Sequence, residues 1–215
     1  MKKTFIAAAL VCLGSAYAAD LTFNVNSAHT SQSTQVNGQQ VNYRAYEGIV
    51  YVANPIDKDY QQLNIYIPAA YFKGGKVNGF TAKSAPIFLP NQIGGYMPAK
   101  PGRPGLDKRA GNTPNAMLVA LSKGYVVVSP GARGRTQKQG KAPAAIVDLK
   151  AAVRYLRFND ARMPGDAEKI ISNGTSAGGA LSVLLGASGN SADYEPYLKA
   201  LGAADVRDDI FAVSA

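Results

Sequence analysis

The chain has 215 residues, room for one sizeable domain or for part of a larger one. Its single cysteine, Cys12, lies close to the amino terminus, so the remainder has no means of forming a disulfide, a thiolate metal site or a cysteine nucleophile. The formal charge of +9 is scattered and does not interleave with aromatic residues as on a nucleic-acid platform; it predicts a solvated basic loop surface with a weak attraction for acidic or phenolate ligands.

Residues 1–18 read as a secretory signal peptide. Lys2 and Lys3 make a basic start, Phe5 to Leu13 an apolar centre, and Ala16-Tyr17-Ala18 a small-residue cleavage pattern. Cleavage before Ala19 would leave a net charge of +7. Leu10 and Val11, ahead of Cys12, are bulky where a lipid-attachment site wants small residues. The apolar centre is too short to span a bilayer, and no later stretch reaches eighteen apolar residues. The expectation is an exported chain, periplasmic or extracellular, with no membrane partner after cleavage.

Residues 19–41 are rich in Asn, Gln, Ser and Thr and show little apolar periodicity, so they are expected to form an extended or mobile polar arm. A single domain is expected over 42–215. Val41 to Val52 reads as a strand interrupted at Glu47-Gly48, and Gln62 to Ile67 as a second strand with Leu63, Ile65 and Ile67 alternating. Ala85 to Pro90 is a short strand of the buried type. Asn91-Gln-Ile-Gly-Gly-Tyr-Met97 follows, and Pro98 to Asn115 is a long Pro/Gly/Lys loop.

A short helix is expected over Ala116–Leu121, then a uniformly apolar strand over Tyr125–Ser129. Gly134 to Lys141 departs from phosphate-loop spacing by one residue and carries Ala142 where Ser or Thr is needed. Pro143 opens the best helix, which runs to about Phe158. Ile146, Leu149, Val153 and Leu156 form its apolar face, with Asp148, Lys150 and Arg154 mostly elsewhere. After Ser176 a short helix is expected over Tyr194–Leu201 and a strand over Ile210–Val213.

Between those segments lies the stretch with chemistry in it. Ile170-Ile171 leads into Gly174-Thr175-Ser176-Ala177-Gly178, and Ala180, Leu181, Leu184 and Leu185 follow at helical spacing. Strand, G-x-S-x-G, helix is the setting of a nucleophile elbow, with Gly174 and Gly178 keeping the turn tight. Such a turn holds the serine in a strained conformation above a helix amino terminus. Ser176 is therefore the candidate nucleophile.

The order of elements, an opening hairpin and then strands alternating with helices, implies an α/β fold with a mainly parallel sheet. Across nearly all of the chain after the signal peptide it resembles the α/β-hydrolase fold, here ending after the strand that follows the nucleophile helix. Gly94-Gly95-Tyr96-Met97, Ser129-Pro-Gly-Ala-Arg-Gly-Arg135, Asn173-Gly-Thr-Ser-Ala-Gly-Gly-Ala-Leu-Ser182 and Asp208-Asp-Ile-Phe-Ala-Val-Ser214 are similar to bacterial tannases. The resemblance implies a serine esterase that cleaves galloyl or related phenolic esters through an acyl-enzyme, without metal or organic cofactor. Its oxyanion hole would combine the Ala177 amide with that of Gly94 or Gly95. Gln92 stands where related esterases often carry histidine.

In this fold the acid and the histidine follow the serine. Asp193, Glu195, Asp205, Asp208 and Asp209 follow Ser176, but no histidine does, and His29 lies far upstream in the polar segment. The expectation is the amino-terminal part of a longer enzyme, inactive alone. A general carboxylesterase or peptidase of the same fold, and a non-catalytic hydrolase-like binding module, are the alternatives.

Overall fold

A computed structural model describes residues 20–108 and 110–215; the expected signal peptide, with Cys12 and Ala19, lies outside them. A seven-stranded sheet runs through the molecule in the order β1-β2-β3-β7-β4-β8-β9. Its antiparallel half comprises β1 (Thr30–Val36), β2 (Gln39–Val50) and β3 (Gln62–Pro68), with β3 joined antiparallel to β7 (Val126–Pro130). The other half is parallel: β7, β4 (Pro86–Pro90), β8 (Asp166–Asn173) and β9 (Ala212–Ser214). A two-stranded ribbon, β5 (Leu106–Asp107) with β6 (Thr113–Pro114), stands in the long loop. The fold is α/β, as the element order implied.

Helices cover both faces, as a parallel sheet requires. Alternate residues of β7 show the division: Val127 packs with α1 (Ala116–Ser122) on one face. Val126 and Val128 pack into the larger core on the other face. That core is built with α2 (Ala144–Phe158), α3 (Ala177–Ala187) and α4 (Glu195–Ala200). No helix among the described residues is long and apolar enough to cross a membrane.

The structure differs from the sequence reading at four points. The polar segment before residue 42 is not a loose arm. Leu21, Phe23 and Val25 pack on the main core, and β1 pairs with β2 along its length from Thr30↔Ala45 to Val36↔Gln39. β1 is an edge strand exposed on most of its residues, so ladder hydrogen bonds define it and apolar periodicity does not. Off the apolar face of α2, Asp148, Lys150 and Arg154 are buried as well, which the sequence pattern does not show. The helix lies between the sheet and its helical neighbours, and each charge has a partner there. Finally, Pro143 caps α2 from just outside its first turn, and the last strand begins at Ala212, with Phe211 donating its amide to Ile170 O (2.9 Å).

The topology also fixes where a ligand crevice belongs. The chain leaves β4 for β7 on one side, and returns across it to β8 on the other. Strand order reverses at β4, and the crevice at such a switch point opens beyond the carboxyl ends of the flanking strands. The segments starting at Asn91, Gly131 and Gly174 all emerge there.

Candidate active site

At the end of β8 the chain turns into α3 within three residues. Ser176 occupies φ +57°, ψ −123°, a combination that L-residues rarely adopt and that costs about 1–3 kcal/mol. The backbone is forced into it by contact. A Cβ on Gly174 would lie 2.4 Å from the carbonyl carbon and oxygen of Gly178, and one on Gly178 would lie 2.7 Å from Ile93 O. Ser176 is exposed while Ala177, Gly178 and Gly179 behind it are buried. Its carbonyl already accepts the Ala180 amide (3.0 Å), which starts the helix.

Asn91, the first residue after β4, ties this turn to its neighbour; the motif reading overlooked it. It is buried, and its side-chain Nδ2 donates to Asn173 O (3.1 Å), Gly178 O (3.1 Å) and Ser182 Oγ (3.0 Å). Its Oδ1 accepts the Ile93 amide (3.2 Å). Ser172 Oγ also donates to Ser182 Oγ (2.9 Å), closing a small buried polar cluster beneath the turn. One amide side chain thus holds the end of β8, the first turn of α3 and the loop carrying Gly94 and Gly95.

That loop is exposed from Gly94 to Met97. Gly95 and Tyr96 both have positive φ (+56° and +57°), and the Met97 amide closes the turn on Gly94 O (3.0 Å). Arg135 grips the loop from the side, donating its amide to Tyr96 O (2.8 Å) and its Nε to Gly95 O (2.7 Å). Among the described residues none accepts a hydrogen bond from the amides of Gly94, Gly95 or Ala177. Gln92 is exposed, and its side chain lies against Gly102.

Asp148 and three of the acidic residues that follow Ser176 are engaged in ion pairs. Asp148 is fully buried and accepts from the Arg133 guanidinium (2.8 Å) and amide (2.8 Å) and from Gln61 Nε2 (2.9 Å). Burial pushes its carboxyl above the usual carboxylate range, against the pull of Arg133. Asp208, also fully buried, pairs with Lys150 (2.8 Å) and Arg154 (2.9 Å), and Glu195 pairs with Arg154. Asp209 pairs with Arg157 (3.3 Å) and Arg207 (3.0 Å).

His29 stands beside Tyr46 (ring centroids 5.1 Å apart), with its Nδ1 2.8 Å from Ser27 O. It immediately precedes β1, whereas Ser176 follows β8. Five inter-strand spacings, about 24 Å, separate those two strands.

Comparison with known proteins bears on the family and the fold. Residues 106–212 match the BD-FAE family model. The tannase of Fusobacterium nucleatum is 61% identical over 91% of this chain and 42% of its own, with a TM-score of 0.88. A tannin acyl hydrolase in complex with ethyl gallate is 50% identical over 91% of this chain and 44% of its own, with a TM-score of 0.81. For the Lactobacillus plantarum tannin acyl hydrolase the figures are 49%, 91%, 42% and 0.82. Comparison with curated proteins gives no match. The chain spans less than half the length of these solved relatives. Over the part it shares with them, identity and TM-score agree: the chain is a tannase-like member of the α/β-hydrolase superfamily.

Proposed function

We propose that this chain supplies the nucleophile and oxyanion hole of a serine carboxylic-ester hydrolase acting on galloyl or related phenolic esters. The backbone of Ser176 carries the reading. A serine at φ +57°, ψ −123° between a parallel strand and a helix, exposed and flanked by glycines that tolerate no Cβ, is the signature of an elbow built to present a hydroxyl. The phenolic substrate class draws support from the related tannin acyl hydrolase that holds ethyl gallate.

In this reading Ser176 Oγ attacks the ester carbonyl carbon while its proton passes to a histidine. Negative charge develops on the former carbonyl oxygen. The Ala177 amide and that of Gly94 or Gly95, without an acceptor among the described residues, take up that charge. Collapse expels the alcohol, which receives the proton, and leaves an acyl group on Ser176; water then releases the acid. The histidine and its acid partner come from residues outside this chain. His29 is a sheet's width away, and the buried acids are already committed to ion pairs.

The reading includes export through residues 1–18, with one domain following; amino-terminal sequencing of the secreted protein would then begin at Ala19. The test of the chemistry is methyl gallate hydrolysis by the gene product that contains this chain. Ser176→Ala removes hydrolysis by at least about a thousandfold, and His29→Ala leaves it intact. Equal losses in both variants, with folding unchanged, would overturn the assignment.

A further inference from the structure

A cleft of about 560 Å³ is bounded by Tyr96, from the loop that carries Gly94 and Gly95, and by α3, the helix that Ser176 precedes. Its walls are the start of α2 (Pro143, Ile146) and the outward face of α3 (Leu181, Leu184), with Tyr96 and Tyr194 alongside. This is the size range of small-molecule sites, and the lining is mostly apolar. Among the described residues one charged side chain lines it, Arg135, and no acidic one does.

Arg135 is held in place for recognition. Its amide and Nε are fixed on Tyr96 O (2.8 Å) and Gly95 O (2.7 Å), while its own carbonyl accepts Lys141 Nζ (2.7 Å). Both terminal guanidinium nitrogens lack a partner among the described residues. A guanidinium anchored through Nε has lost much of its rotamer freedom, yet keeps the two donors that meet a carboxylate. Lys141 adds positive potential next to it. The opposite surface of the cleft offers tyrosine rings and leucine side chains, which suit a flat aromatic body.

We infer that this cleft binds an aromatic ligand bearing an ionised carboxylate, the ring between Tyr96 and Leu181 and the carboxylate on Arg135. If the site hydrolyses esters, as proposed above and on which this use rests, the preferred substrates carry a carboxylate separate from the ester being cleaved. Arg135 is then the residue that selects them. A protein segment lying over Leu184 and Tyr194 is the competing occupant, and it predicts no small-molecule binding here.

Direct binding tests the inference without relying on turnover, so a failure of the hydrolase reading would not affect the result. The gene product containing this chain is titrated with 2-naphthoate and with the neutral 2-naphthamide, following the methyl resonances of Leu181 and Leu184. The expected result is saturable binding of 2-naphthoate with those methyls shifted, and amide binding at least about tenfold weaker. Arg135→Gln should weaken 2-naphthoate about tenfold and leave 2-naphthamide unchanged, and Arg135→Lys should restore part of the loss. Equal affinity for the two ligands, shifts confined to another surface, or no saturable binding at millimolar concentration would overturn the inference. So would Arg135→Gln affecting both ligands alike with the fold intact.

Discussion

Asn91 Nδ2 lies 3.1 Å from Gly178 O, so the first residue after β4 is hydrogen-bonded to the first turn of the nucleophile helix. The same nitrogen reaches Asn173 O and Ser182 Oγ, and the side-chain oxygen holds the Ile93 amide. Removing this group leaves several buried donors and acceptors unpaired, at about 1–3 kcal/mol for each one that water cannot reach. Asn91→Ala is expected to cost at least about 2 kcal/mol in urea unfolding. Asn91→Asp, which sets a carboxylate against carbonyl oxygens, should cost no less. An unchanged unfolding midpoint in both variants would show that the cluster does not hold the turn.

Gly178 is pinned from two directions, by Asn91 Oδ1 at 2.5 Å and Ile93 O at 2.7 Å from any added Cβ. Neither atom is the free end of a mobile side chain. Gly178→Ala should therefore displace the Ile93–Gly95 loop and destabilise the protein by about 1–3 kcal/mol. Loss of an Asn91–Gly178 contact should appear in the amide resonances of Ile93 to Gly95. Resonances and stability both matching the parent would refute the close packing described.

Lys150 and Asp208 form a fully buried pair that also engages Ser188 O, Arg154 and the Asn190 amide. Deleting Lys150 leaves Asp208 with Arg154 as its remaining cation and Ser188 O without its Lys150 donor, at up to about 3–5 kcal/mol. Lys150→Met alone is expected to lower stability on that scale. The combination Lys150→Met, Asp208→Asn should recover part of the loss, because the charges of Arg154 and Glu195 then balance without a surplus buried carboxylate. Additive losses in the double variant would show that the two charges do not act as a pair.

Tyr71 gives a pH-dependent prediction. Burial pushes its phenol up to about 12, and its hydroxyl donates to Gly124 O. An unfolded tyrosine ionises near pH 10. Between those values the folded protein keeps a proton that the unfolded chain has lost, so stability falls as pH rises from about 10 to 12. Below pH 10 this contribution is fully present. Tyr51, Tyr66 and Tyr155 shift in the same direction, chiefly through burial, and steepen the fall. Tyr71→Phe should be about 1 kcal/mol less stable at pH 8 through loss of the hydrogen bond. Its deficit should shrink as pH approaches 12; a constant deficit across pH 8–12 would contradict the shift.

The sequence made the turn at Ser176 readable because glycine leaves a local trace: Gly174 and Gly178 sit at fixed spacing between an apolar run and a helical pattern. The alternation in Leu63, Ile65 and Ile67, and the uniform apolar run at Val126–Val128, likewise follow from which faces are buried. What escaped notice depends on partners distant in sequence. β1 has almost no buried side chains, so only its pairing to β2 reveals it. Asp148, Lys150 and Arg154 read only as residues off the apolar face of α2 because Arg133, Asp208 and Glu195, which neutralise them, lie 15 to 58 residues away. Asn91 looked like loop chemistry, and its role appears only once β4 and β8 stand side by side. The Gly94–Gly95 pair was legible as a close-approach loop, whereas the grip of Arg135 on it was not.

The proposal that Ser176 forms the acyl-enzyme is tested most directly by trapping it. The gene product containing this chain is mixed with a p-nitrophenyl ester of an aromatic acid, quenched in acid during turnover, and digested for peptide mass spectrometry. The account predicts the acyl mass on the peptide bearing Ser176, and its disappearance in Ser176→Ala. An acyl group on any other residue, or full turnover persisting in Ser176→Ala, would contradict it.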